Sequence, residues 1–509
     1  MPVTLRGEEP GVKKYVLAID EGTTGTTAMV FDKTGGVLSK VNEEFPQYFP
    51  QGGWVEHDPE EIWRATMLTV EKALNEARVE ARELASIGIT NQRETSVFWR
   101  KGGVEPVGKA IVWQDRRSAG ICERLRAEGH EERFRAATGL VLDPYFSGTK
   151  ITWLMENDPE FARQAAAGEF NFGTIDSWLL ARLTGGAVHA TDFSNASRTL
   201  MFNIHELEWD EGLLSLLGVP GSMLPEVKPS SGVFGYTDPE AFFGVAVPIG
   251  GIAGDQQAAL FGQACYHTGM TKNTYGTGSF VLMNTGSQAV SSRSGMLTTI
   301  AWGIDGAITY ALEGSIFITG AAIQWLRDGL HLIEDAAETG PLAEKVADTG
   351  GVYFVPALVG LGAPYWDPYA RGAILGITRG TSKEQILRAT VEAMAYQSRD
   401  VLDAMKVDSG IDIATMRVDG GASVMDVLLQ FQADLLGIEV QRPVVSETTA
   451  LGAAYLAGLA TGYWESVEEI ERIWLPEKTF QPVADASVME KKYQGWKRAV
   501  ERSRDWEQH

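Results

Sequence analysis

Cysteine is nearly missing from this sequence. Cys122 and Cys265 are the two present, and they stand far apart in no C-x-x-C arrangement. Neither a disulfide framework nor a cysteine zinc site is signalled, and a reducing, cytoplasmic compartment is expected. Positive charge is also short: 44 Lys and Arg face 67 Asp and Glu, for a formal net of −23. That balance disfavours nucleic acid and anionic membrane as partners. Long apolar runs are lacking too. The uncharged stretch 448–464 is full of Gly, Ala and Thr and falls short of a bilayer span, so it reads as a buried helix and no membrane insertion is expected. Residues 1–14 are polar and mixed in charge, and the apolar 16–19 after them is too short for a signal-peptide core, so no export signal is expected. The seven histidines form no H-E-x-x-H pair and there is no G-x-S-x-G, which leaves zinc and serine hydrolases unsupported.

What is present is length and pattern. At 509 residues with 44% hydrophobic content, the chain is expected to form two large domains of mixed α/β class. Residues 15–19, the polar Asp20-Glu21-Gly22-Thr23-Thr24-Gly25 and residues 26–31 read as strand, tight turn, strand. Asp58-Pro59-Glu60-Glu61 offers an N-cap, a first-turn proline and a capping-box glutamate, followed at helical spacing by Trp63, Met67, Val70, Leu74 and Ala77. Strands are expected at 85–90, 97–99 and 110–113. The opening logic then returns in the second half. Residues 270–274 lead into Tyr275-Gly276-Thr277-Gly278-Ser279 and a strand at 280–283. After them come a helix with Leu387, Val391, Met394, Val401 and Met405 on one face and a strand ending in Asp419-Gly420-Gly421. The halves read as a duplicated domain, and the Gly/Pro-rich 352–380 as an ordered loop.

Several motifs carry chemistry, each beside a plainer reading. The turn at 20–27 gathers small residues, hydroxyls and a carboxylate, as a phosphate chain with bound Mg²⁺ requires; alone it is equally an ordinary hairpin. Its second copy at 276–278, together with the Asp-Gly-Gly, favours convergence on a triphosphate. Asp255, after apolar 248–253 and before helical 258–264, is placed either to accept a hydroxyl proton or simply to cap a helix. Asn91-Gln92-Arg93-Glu94-Thr95 puts donors and acceptors at a strand end, suited to a polyhydroxyl ligand or to a surface ion pair. Residues 103–110 nearly spell a P-loop but carry Ala110 where Ser or Thr belongs and lack the following helix, so they read as a hairpin.

Over 14 to about 506 the chain resembles the glycerol-kinase branch of the FGGY carbohydrate-kinase family. The resemblance is carried by Gly52-Gly53-Trp54-Val55-Glu56-His57-Asp58-Pro59, Ile89-Thr90-Asn91-Gln92-Arg93-Glu94-Thr95, Asp143-Pro144-Tyr145-Phe146-Ser147-Gly148, residues 253–261 and Thr449-Ala450-Leu451-Gly452-Ala453-Ala454. It implies two duplicated actin-like, ribonuclease-H-like α/β domains with a cleft between them: 14–262 binding glycerol and 263–509 binding the nucleotide. The implied activity is ATP-dependent formation of sn-glycerol 3-phosphate with Mg²⁺, in a homo-oligomer, dimer or tetramer. Arg93, Glu94, Tyr145, Asp255 and Gln256 would hold the glycerol hydroxyls, Trp113 and Phe280 would cover its carbons, and Asp255 would be the base. Thr23, Thr24, Gly25, Thr27 and Thr277 would contact phosphates, Gly320, Gln324, Gly421 and Met425 would surround the adenosine, and Asp20 would hold Mg²⁺. A kinase for another polyol or sugar, or a non-catalytic actin-class protein, is the alternative.

The chain also departs from the family pattern. Where relatives carry Ser-Ser-Arg it has Gly25-Thr26-Thr27, so no arginine is expected beside the phosphates. Met425 stands where many place Asn and cannot supply the same hydrogen bonds, which implies looser purine selectivity. Residues 236–247 hold no cation and 230–250 no histidine, so neither fructose 1,6-bisphosphate inhibition nor activation by histidine phosphorylation through that stretch is expected.

Overall fold

A computed structural model describes residues 13–507, so most of the polar N-terminal stretch lies outside the described residues. The chain divides into two compact units. The first runs to Ala264 and takes in 299–308 and 448–473; the second comprises 265–298, 309–447 and the residues from Trp474 onward.

The first unit is built on a six-stranded sheet in the order Ser231–Tyr236, Pro248–Gly254, Leu84–Asn91, Tyr15–Glu21, Gly25–Phe31, Val37–Glu44. Pro248–Gly254, Leu84–Asn91 and Tyr15–Glu21 run parallel. Leu84–Asn91, at the centre, is buried at every position, as a strand covered on both faces must be. The register sets Glu21 opposite Asn91 and Asn91 opposite Gly254, so the carboxyl ends of three parallel strands lie level. Ligand sites of open α/β sheets form at such ends. The first turn is tighter than expected: Asp20 and Glu21 belong to the strand, paired with Thr27 and Thr26, and Gly22-Thr23-Thr24 alone makes the connection.

Asp58 caps the helix Pro59–Ala77 by accepting from Glu60 N at 2.8 Å. The expected capping box does not form, because the Glu61 carboxylate receives the Tyr48 hydroxyl at 2.9 Å instead. The buried face is also turned from the expected one: Ile62, Ala65, Thr66 and Thr69 join Val70 and Leu74, while Trp63 and Met67 sit half-buried at its edge. Residues 103–109 form a loop after the strand Val97–Arg100, with antiparallel bridges Trp99 to Pro106 and Ser96 to Ile111, and no P-loop helix follows.

The uncharged segment forms the helix Thr448–Ala460, buried from Ala450 to Gly458. It packs on the sheet and on the helix Asp255–Gly262 at backbone-contact distance. A Cβ on Gly452 would lie 1.8 Å from Ala258 O, one on Gly262 1.9 Å from Thr448 O, and one on Gly88 2.2 Å from Ala453 O. Small residues are therefore a packing requirement here, and they seat the helix that begins at Asp255.

The second unit's sheet holds Pro476–Phe480, Val440–Pro443, Thr415–Gly420, Met270–Tyr275, Ser279–Gly286 and residues 309–316 of the strand Ala307–Ile316, in that order. Its hairpin Met270–Tyr275 and Ser279–Gly286, antiparallel to Ala307–Ile316 and flanked by the parallel Thr415–Gly420 and Val440–Pro443, repeats five strands of the first sheet in order and direction. The duplication read from the two Gly/Thr turns is thus a duplication of topology. The helix Lys383–Ser409 buries all five residues of the expected face.

Candidate active site

The level strand ends of the first unit bring most of the expected residues together. Asp255 is the first residue of its helix and Gly254 is the N-cap, so the capping reading is displaced. The Asp255 Oδ1 accepts from Gln256 N at 2.7 Å and pairs with Arg93 Nε at 3.1 Å. The Arg93 side chain is 2% exposed and that of Asp255 31%, so the carboxylate reaches solvent while its partner is held below it. Arg93 Nη1 donates to Gln257 Oε1 at 3.2 Å and Nη2 to the Tyr145 hydroxyl at 3.5 Å. Glu94 Oε1 lies 3.9 Å from Arg93 Nε and accepts from Arg198 Nε at 2.7 Å. Glu94 has φ of +62°, a left-handed conformation that costs a non-glycine residue about 1–3 kcal/mol and collects at functional sites. Two hydroxyls hold it there, Ser147 Oγ and Ser96 Oγ donating to its carbonyl at 2.9 and 3.2 Å.

Trp113 is carried on a loop pinned by Asp115, whose buried carboxylate accepts from Val55 N at 2.7 Å and Arg117 N at 2.8 Å. Its ring meets that of Tyr145 edge-on at 5.5 Å, and its Nε1 donates to Thr23 Oγ1 at 2.9 Å. The aromatic wall is therefore tied directly to the first turn. Thr24 is exposed at the tip of that turn. Gly25 is required, because a Cβ there would lie 2.5 Å from Glu43 O. Thr27 Oγ1 accepts from Asn42 Nδ2 at 2.9 Å.

Asp20 lies half-buried at the strand end. Burial, and then the Asp255 carboxylate, push its carboxyl up to about 7. Beside it, burial raises Glu21 well above the usual range, partly offset by a hydrogen bond from Gln92. Among the described residues no group of three or more His, Cys, Asp or Glu forms a metal cage. The donor set nonetheless fits Mg²⁺, which binds through one or two carboxylates and otherwise keeps waters and substrate phosphates. A cation at Asp20 would relieve the repulsion that raises its pKa.

In the second unit Thr277, Gly320, Gln324, Gly421 and Met425 all line one cavity of about 770 Å³. The Gly276-Thr277-Gly278 turn is docked on the helix Gly320–Asp328: Gly320 N and Ala321 N donate to Gly276 O and Thr277 O, each at 3.0 Å. A Cβ on Gly320 would lie 2.6 Å from Gly276 O, so glycine is needed for that approach. Met425 packs beside Gly340 in the same wall. Phe280 is not among the cavity-lining residues; it lies half-buried on Ser279–Gly286, paired with Thr274 and Ser315. Sequence reasoning missed Arg198 and Gln257. Arg198 is fully buried in a run, Thr191-Asp192-Phe193-Ser194-Asn195-Ala196-Ser197-Arg198, whose polar density was the available signal.

Residues 15–262 match the model of the FGGY family of carbohydrate kinases, N-terminal domain, and 271–461 the C-terminal domain of that family. The chain is 60% identical over 494 residues to glycerol kinase 2 of Thermotoga maritima and 59% identical over 495 residues to glycerol kinase of Carboxydothermus hydrogenoformans. Each alignment covers 97% of this chain and 99% of the relative. Among solved structures, Plasmodium falciparum glycerol kinase with ADP superposes with a TM-score of 0.91 at 36% identity, covering 97% of this chain and 99% of that one. The xylulose kinase of Lactobacillus acidophilus, at 22% identity and a TM-score of 0.85 over 95% of this chain and 97% of its own, shares the fold. The fold is the actin-like ATPase fold in two copies, and the chain belongs to the FGGY family of carbohydrate kinases.

Proposed function

We propose that the protein transfers the γ-phosphoryl group of ATP to a terminal hydroxyl of glycerol, giving sn-glycerol 3-phosphate and ADP. The observation that carries this reading is the Arg93–Asp255 pair at 3.1 Å with Glu94 beside it, at level strand ends in a chain similar over nearly its whole length to glycerol kinases. Donor and acceptor groups spaced in this way suit a small polyol. Residues 14–262 are assigned glycerol binding and 263–509 nucleotide binding, with Thr277, Gly320, Gln324, Gly421 and Met425 supplying the nucleotide cavity.

Arg93, Glu94, Tyr145 and Gln256 hold the hydroxyls, and Trp113 covers the carbons. Asp255 accepts the proton of the attacking hydroxyl as its oxygen bonds to the γ-phosphorus and the bond to the β,γ-bridging oxygen breaks, leaving ADP. Arg93 keeps the Asp255 carboxylate aimed through the 3.1 Å pair. Thr23, Thr24, Gly25 and Thr27 receive the phosphates. Asp20 would hold Mg²⁺, which supplies charge neutralisation at the phosphate oxygens. Positioning, rather than covalent chemistry, provides most of the acceleration.

No helix among the described residues is long and apolar enough to cross a membrane. We assign a cytoplasmic location and a homo-oligomeric state, dimer or tetramer, to be checked by light scattering. A coupled ADP-release assay over glycerol, xylulose, gluconate and other polyols tests the substrate. Glycerol should give the highest kcat/KM by orders of magnitude, and a better sugar substrate would reassign the enzyme within its family.

A further inference from the structure

The turn of helix Phe193–Ala196 and its flanking residues take no part in the chemistry above, yet three of the loops that carry the site rest on them. Asp192 is fully buried and gathers donors: Ser194 N and Asn195 N at 2.9 Å, Asn195 Nδ2 and Ser194 Oγ at 3.0 Å, and Ser230 Oγ at 2.6 Å. From this anchor the contacts spread to three loops. Asn195 exchanges amide hydrogen bonds with Asn91, 3.1 Å in each direction, two residues before Arg93. Ser194 Oγ accepts from Gly254 N at 2.9 Å, one residue before Asp255. Arg198 Nε holds Glu94 at 2.7 Å, and Thr199 O accepts from Gly148 N at 2.8 Å, just past Tyr145.

A segment that served only the core would bury apolar side chains. Here Asp192, Ser194, Asn195, Ser197 and Arg198 are each at most 1% exposed, and the strand contacts of Ser194 and Asn195 go to the carboxyl ends of two parallel strands. Burying that many polar groups is costly unless each is satisfied, and a satisfied network rigidly specifies one geometry.

We propose that segment 192–199, anchored on the Asp192 carboxylate, is the template that sets Arg93, Glu94, Tyr145 and Asp255 relative to one another, with Ser194, Asn195 and Arg198 as positioning residues for glycerol. This rests on the glycerol reading of that site. Ser194 joins the segment to Asp255 through a single hydroxyl, so it is the sharpest place to cut.

Steady-state kinetics of the full chain test it, with Asp255→Asn run in parallel. Ser194→Ala should raise the glycerol KM about tenfold and lower kcat/KM for glycerol on the order of 10²-fold, with the ATP KM unchanged within about twofold. Ser194→Thr, which keeps the hydroxyl, should bring the glycerol KM back toward wild type. A residue that merely stabilised the fold would lower the active fraction and leave both KM values alone, and that result overturns the template. Should Ser194→Ala fail to fold, Asn195→Ala, which spares the Gly254 bond and releases Asn91, decides by the same glycerol KM. Near-normal turnover of Asp255→Asn would strike the reading of the site instead, so the two failures are distinguishable.

Discussion

Replacing Gly452 by Ala adds one methyl group where the helix Thr448–Ala460 crosses the helix Asp255–Gly262. The new Cβ would lie 1.8 Å from Ala258 O, 2.7 Å from Ala258 C and 2.9 Å from Gly262 N. All three are backbone atoms, so no side chain can swing away and the helices must part. Alanine gains about 1 kcal/mol over glycine in helix propensity. Overpacking costs about 1–3 kcal/mol, and a backbone clash belongs at the upper end. The net is a loss of about 2 kcal/mol, or a fall in Tm of about 4–8 °C for a unit of this size. Because the displaced helix begins at Asp255, kcat should also fall, by on the order of 10²-fold for a shift of about 1 Å. Differential scanning calorimetry and the ADP-release assay on the same preparation measure both. Gly120→Ala is the matched control: Gly120 sits exposed in the helix Ala119–Ala127 with nothing within 4 Å of its Cβ position. It should gain about 2 °C and keep full activity. A Gly452→Ala protein as stable as wild type would refute the close-packing argument.

Three further expectations follow from the geometry. Lys150 is fully buried with Nζ donating to the Tyr145 and Phe146 carbonyls, and burial lowers its pKa to about 8 from 10.5. The unfolded chain then holds that proton over a range where the folded one does not. Wild type should therefore gain up to about 3 kcal/mol relative to Lys150→Met as pH rises from 8 to 10.5, and parallel Tm curves for the two proteins would contradict it. Trp113→Phe removes the 2.9 Å bond to Thr23 Oγ1, worth about 1 kcal/mol, so glycerol KM should rise several-fold; an unchanged KM would separate the aromatic wall from the turn. Met425 lines the nucleotide cavity without the hydrogen-bonding groups of an amide. Discrimination between ATP and GTP should be weak, and should sharpen in Met425→Asn.

Local patterns in the sequence carried the strands, the duplicated turns and the buried helix, because each rests on short-range chemistry. The strand 84–91 is a run of apolar and small residues, the turn Gly276-Thr277-Gly278 needs glycine at 278, where a Cβ would lie 2.3 Å from Ile316 O, and 448–464 has no charge to expose. Asp255 was visible but ambiguous, since a carboxylate before a helix caps it more often than it does chemistry; its pairing with Arg93 is a contact across 162 residues that no local pattern encodes. The expected capping box failed for the same reason, Tyr48 outcompeting the backbone for Glu61. The polar network on Asp192 was not legible, because buried hydrogen-bonded residues have no period and look like an ordinary loop until the strand ends are placed around them.

Asp255 is the residue on which the phosphoryl transfer depends. In Asp255→Asn, glycerol and nucleotide binding measured by calorimetry should persist, because Asn keeps the size and one acceptor, while kcat should fall by on the order of 10²–10⁴. An Asp255→Asn protein that turns over glycerol at a near-normal rate would contradict the assignment of the base and the mechanism built on it.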